Sequence, residues 1–76
     1  MTLFDLIESG VVIQGAVTIK QWLKDAEVYK TLYSTTSFQN YNVDDKIMNM
    51  QINYIYSESE YNVGWTIIEM EPIEDE

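Results

Sequence analysis

Val11-Val-Ile-Gln-Gly-Ala-Val-Thr-Ile-Lys-Gln-Trp-Leu23 is where a period of two first takes hold of the chain. Val11, Ile13, Val17, Ile19 and Leu23 fall on one side of an extended backbone, and Gln14, Thr18, Lys20 and Lys24 on the other, because successive side chains of a strand point to opposite faces. Such a pattern belongs to a strand buried on one side. Gly15 interrupts it, which predicts either a bulge that bends one long strand or a break between two shorter ones.

Upstream, Met1 to Gly10 reads as a short helix with both ends marked: Thr2 as cap with Asp5 three residues on, and Gly10 suited to the left-handed position that ends a helix. Leu3, Leu6 and Ile7 share a face that needs a sheet beneath it, since so short a helix has no stability of its own. Downstream, Lys24 to Glu27 is a turn and Val28 to Tyr33 a second strand, with Val28, Lys30 and Leu32 opposed to Tyr29, Thr31 and Tyr33; either side can be the buried one.

Ser34 to Asn42 has neither period and is rich in residues that bond to their own backbone, so it is expected to be the main loop. Asn42 or Asp44 then caps a helical turn through Ile47 and Met50. Alternation returns twice more, with Ile52, Tyr54 and Tyr56 against Asn53, Ile55 and Ser57, and with Val63, Trp65 and Ile67 against Gly64, Thr66, Ile68 and Met70. These are two strands of one hairpin, joined by Ser57 to Asn62 with Glu58 and Glu60 at the tip. Residues 72–76 are expected to fray, because Pro72 donates nothing to a ladder and the acids after it repel one another. The expected fold is α+β: one domain over residues 1–76, with a small, mostly antiparallel four-stranded sheet, a short N-terminal helix and a short helix between the strand pairs.

Composition narrows the function classes. The 76 residues include thirteen Asp and Glu against four Lys, with no Arg and no His, for a net charge of -9. Phosphate backbones are held by Lys and Arg with release of counterions, so direct binding to nucleic acid, or to anionic membrane, is not expected; basic protein surfaces are the natural partners. Without His or Cys the usual neutral-pH base and the strongest nucleophile are missing, zinc loses its preferred ligands, and three glycines make no phosphate loop. A non-enzyme without metal or cofactor is therefore expected. Asp44 with Asp45, and Glu58-Ser-Glu60, lack the spacing of a calcium loop. No charged leader followed by an apolar stretch opens the chain, so a cytoplasmic location is expected.

The feature with most functional weight is acid placed on strands among aromatics. Residues two apart on a strand lie about 6.6 Å apart on one side, near the spacing of phosphates along a nucleic-acid strand, and Glu58 with Glu60, and Glu69 with Glu71, have that separation. Six Tyr, two Trp and two Phe exceed what a thin core requires, and Tyr and Trp are interface anchors. The candidate partner-binding residues are Glu58, Glu60, Tyr61, Glu69, Glu71, Tyr54 and Tyr56. The plainer reading of the same residues is a solubilising polar face, with Trp22 and Trp65 in the core.

The stretch Phe4-Asp-Leu-Ile-Glu-Ser-Gly-Val-Val-Ile-Gln-Gly-Ala-Val-Thr-Ile-Lys-Gln-Trp22 resembles small acidic proteins carried by phages and mobile elements of Gram-positive bacteria. Such proteins include inhibitors of host defence, anti-CRISPR proteins among them, some of which imitate DNA. The resemblance covers about a quarter of the chain and carries over no site residue. It implies an inhibitor that occupies the basic, nucleic-acid-binding surface of a host protein. This chain departs from the most acidic mimics in having its charge interspersed with apolar strands. The competing expectation is a homo-oligomer, a homodimer first, that buries a sheet edge and its Tyr residues against its own copy.

Overall fold

A computed structural model describes residues 1–10, 13, 15–38, 43–60 and 63–74, excluding the side chains of residues 60 and 63. Its elements run α1 (Leu3–Glu8), β1 (Ala16–Leu23), β2 (Val28–Thr35), α2 (Asp45–Met48), β3 (Ile52–Glu60) and β4 (Val63–Ile73). The fold is α+β, and the four strands form one sheet in the order β2-β1-β4-β3. β1 pairs antiparallel with β2 and β3 with β4, while β1 and β4 run parallel down the middle. The sheet is thus mostly antiparallel with one parallel pair: two hairpins laid side by side by the connection that carries α2.

The strand order follows from where apolar residues occupy both faces. β4 contains Ile67 and Ile68 in succession, both buried, and β1 contains Ala16 and Val17, both buried, so these two carry buried side chains on both faces and take the centre, flanked by the edge strands. β2 and β3 are mostly exposed and lie at the edges. On one face Val17, Ile19, Ile68 and Met70 meet Leu3 and Leu6 of α1 together with Phe38 and Val43. Ile47 and Met48 of α2 close over the same core. Burying each of the larger side chains contributes about 1.5–3 kcal/mol. The molecule is accordingly a slab, 33 × 30 × 18 Å, with one helical layer on one side of the sheet.

Both ends of α1 form as the sequence requires. The Thr2 hydroxyl accepts from the Asp5 amide at 3.1 Å, and the Asp5 carboxylate accepts from the Thr2 amide at 3.1 Å, satisfying two of the orphan donors of the first turn. Gly10 stands at φ 89 beyond Ser9, its amide bonded to the Ile7 carbonyl. Asp44 caps α2, accepting from the Lys46 amide at 2.8 Å; Asn42, the other candidate cap, lies outside the described residues.

Gly15 does not bulge one long strand, because β1 begins only after it. At φ 81 it precedes the first residue of β1, and its carbonyl accepts from the Phe38 amide at 2.9 Å. Ile13 packs on the core outside any strand, and Val11 and Gln14 lie outside the described residues. β2 reaches Thr35, so Ser34 and Thr35 belong to it rather than to the expected loop, and the Thr18 and Ser34 hydroxyls meet at 3.1 Å across the ladder. β3 reaches Glu60, so Glu58 is a strand residue paired with Trp65 and not part of a hairpin tip; an edge strand tolerates acids whose side chains alternate into solvent. β4 continues through Pro72 to Ile73, two residues into the stretch expected to fray, because Ile73 pairs with Leu23 and its carbonyl accepts from the Lys24 amide at 2.9 Å. Among the described residues no helix is long and apolar enough to cross a membrane.

Candidate functional site: the uncovered sheet face

Three irregularities decide which side chains reach the face opposite the helices. In β2, Ile19 pairs with Tyr33 but Lys20 pairs with Thr31, which leaves Leu32 as an extra residue. The bulge turns Tyr29 and Thr31 to the uncovered face, with Lys20 and Trp22, and Tyr33 to the core, with Ile19. In β3, Ile52 pairs with Met70 and Tyr54 with Glu69, leaving Asn53 over. Ile52 therefore packs on the core while Tyr54 and Tyr56 face away from it, although the alternation in sequence put all three together. In β4, Met70 pairs with Gln21 and Ile73 with Leu23, so Glu71 and Pro72 stand against Trp22 alone.

This face, uncovered by any described helix, then reads as four cross-strand rows: Tyr29 and Trp22; Thr31, Lys20, Glu69 and Tyr54; Ser34, Thr18, Ile67 and Tyr56; and Ala16, Trp65 and Glu58. Side chains opposite one another in such rows are direct neighbours. Of the expected partner-binding residues, Tyr54, Tyr56, Glu58 and Glu69 are brought together here. Glu71 is exposed but falls in the β4 irregularity, out of the regular alternation that would set it beside Glu69. Its carbonyl instead accepts from the buried Gln21 side chain at 2.8 Å. Glu60 is the last residue of β3, and Tyr61 lies outside the described residues.

The sequence did not single out Lys20, Trp22, Tyr29 and Trp65 for this face. Trp22 and Trp65, given to the core by the plainer reading, are half-buried on the opposite side of the sheet. Their signal was parity: both are out of phase with the core positions of their own strands.

At the centre the Lys20 ammonium lies 4.2 Å from the Tyr29 ring centroid and 5.7 Å from that of Tyr56, both within cation–π range. Trp22 meets Tyr29 edge to face, with centroids 4.9 Å apart at 66°, and so steadies the ring that receives the ammonium. The protonation states follow. Hydrogen bonding to Tyr56 raises the Lys20 pKa, with Glu69 and Glu58 adding in the same direction against desolvation. Hydrogen bonding to the Glu69 carboxylate raises the Tyr29 phenol. For Tyr56 the hydrogen bond with Lys20 is the strongest influence and lowers its pKa, but desolvation and Glu69 outweigh it and the net direction is up.

Among the described residues this face presents side chains to solvent rather than enclosing them. Aromatic rings stand at its margins, a Lys–Tyr–Glu cluster at its centre, and Ile67, 5% exposed, beneath. A depression of about 200 Å³ among Gln21, Met50, Gln51, Glu71, Pro72 and Ile73 lies outside the four rows. Among the described residues no three carboxylates converge in a way that could hold a metal ion. No family model, curated protein or solved structure matches the chain.

Proposed function

We propose that the protein is a non-enzymatic binding protein that lays the uncovered face of its sheet on a basic, nucleic-acid-binding surface of a partner protein and inhibits the partner by occupying it. One observation carries the reading: Trp22, Tyr29, Tyr54, Tyr56 and Trp65 share with Glu58 and Glu69 the one sheet face that no described helix covers. The chain's charge of -9 makes the partner surface basic by complementarity. Aromatic side chains supply the contact area, and the carboxylates steer and orient. The resemblance to acidic phage and mobile-element proteins supports the inhibitory role and a host target.

The test is capture from a bacterial lysate by three proteins: the wild type, a Glu58→Lys/Glu69→Lys double variant, and a Glu8→Lys/Asp45→Lys variant with the same change of charge on the helical side. The account predicts a nucleic-acid-binding protein that is retained by the wild type and the helical-side variant, lost by the sheet-face variant, and released by added DNA or RNA. Equal loss from both variants would reduce the effect to overall charge and reject the proposed face. One observation favours the homo-oligomer: Tyr54 and Ile55, on the β3 edge, are 62% and 47% exposed. A dimer mass by light scattering that reverts to monomer on Ile55→Lys would select that reading.

A further inference from the structure

The centre of the uncovered face already holds a cation, and it is the protein's own. Tyr29 and Tyr56 approach one ammonium from β2 and β3, the two opposite edges of the sheet, with Glu69 between them on β4. Lys20 reaches them from β1, where it is the register neighbour of Glu69. Two aromatic rings and a carboxylate around one charge are the composition of a cation receptor. Lysine is a weak permanent tenant of such a site: its ammonium is compact, strongly hydrated and carried on a flexible stem that can swing to solvent. A guanidinium is planar, less hydrated, and able both to stack on Tyr rings and to fork onto a carboxylate.

We propose that the Tyr29, Tyr56 and Glu69 cluster is a receptor for an arginine side chain of the partner, and that Lys20 is an internal occupant which the guanidinium displaces on docking. This rests on the docking face proposed above and adds the chemistry of its central contact. Lys20 then has two consequences. In the free protein its ammonium occupies the space between the Tyr29 and Tyr56 rings, within the field of Glu69. In the complex it raises the threshold for binding, because a partner must offer a cation that outcompetes it, and so favours arginine-rich surfaces over merely basic ones.

The test is the affinity of a hexa-arginine peptide, measured by titration calorimetry, for the wild type, Lys20→Met and Lys46→Met. Both variants lose one positive charge, but Lys46 lies on α2, on the far side of the sheet. Removing the occupant should tighten binding by about three- to ten-fold, whereas Lys46→Met should leave it nearly unchanged. Adding Glu69→Gln to Lys20→Met should abolish the gain, with urea titration confirming that each variant folds. An equal gain from Lys46→Met, or no gain from Lys20→Met, would overturn the receptor. If Lys20→Met shows no gain while Glu58→Lys/Glu69→Lys abolishes peptide binding, the docking face stands and only the receptor falls. If even the wild type fails to bind the peptide, both fall together.

Discussion

Glu69 organises the uncovered face more than any other single residue. It is the register neighbour of Lys20 on one side and Tyr54 on the other, and it raises the pKa of both Tyr29 and Tyr56. Lys20, Tyr29 and Tyr56 all have folded-state pKa values above their ordinary values of 10.5, 10.0 and 10.0. A raised value means that the folded state holds the proton more tightly. Whatever stability the cluster contributes is therefore complete below those ordinary values and is lost as pH climbs through the folded ones. The account predicts that part of the tyrosinate absorbance develops late in an alkaline titration, and that Glu69→Gln moves that part to lower pH. Superimposable titration curves for the wild type and Glu69→Gln would show that the cluster does not form. Little of this was legible beforehand. Glu69, Tyr54 and Tyr56 stood out as acid and aromatics on strands, but Lys20 reads simply as the polar phase of an amphipathic strand.

At the scale of the element, local signals were legible and register was not. The capping pair Thr2 and Asp5, the terminating Gly10 and the turn before Val28 all act within a few residues of themselves, and all formed where the sequence indicates. Thr2→Ala should remove one half of the α1 cap and cost about 1 kcal/mol in urea denaturation; an unchanged midpoint would show that α1 is held by Leu3 and Leu6 alone. The bulges at Leu32 and Asn53 are another matter. Neither site carries the Gly or Pro that usually marks an irregularity, so strict alternation assigned Tyr29 and Tyr33 to one face, and Ile52 and Tyr54 to one face, when the structure separates both pairs. The reason lies in tertiary packing: Leu32, Tyr33 and Ile52 all join the core, and a one-residue insertion lets each do so without carrying Tyr29 or Tyr54 along.

At the scale of the whole molecule, the sheet separates two surfaces that composition alone cannot tell apart. Acids lie on both sides: Asp5, Glu8, Asp44 and Asp45 accompany the helices, and Glu58 and Glu69 lie on the uncovered face. Net charge therefore brings a basic partner near without choosing a side, and the aromatic side chains make the choice. The α+β class was readable because hairpins and caps are local, while the parallel central pair was not, since it joins β1 and β4 across most of the chain. The most direct test of the central claim is backbone-amide NMR shift mapping during titration with hexa-arginine. The account predicts shifts concentrated on Lys20, Trp22, Tyr29, Tyr54, Tyr56 and Glu69, with Asp5, Glu8, Asp44 and Asp45 nearly still. Shifts spread over both sides, or centred on the helical layer, would contradict it and leave the acidic charge without a dedicated face.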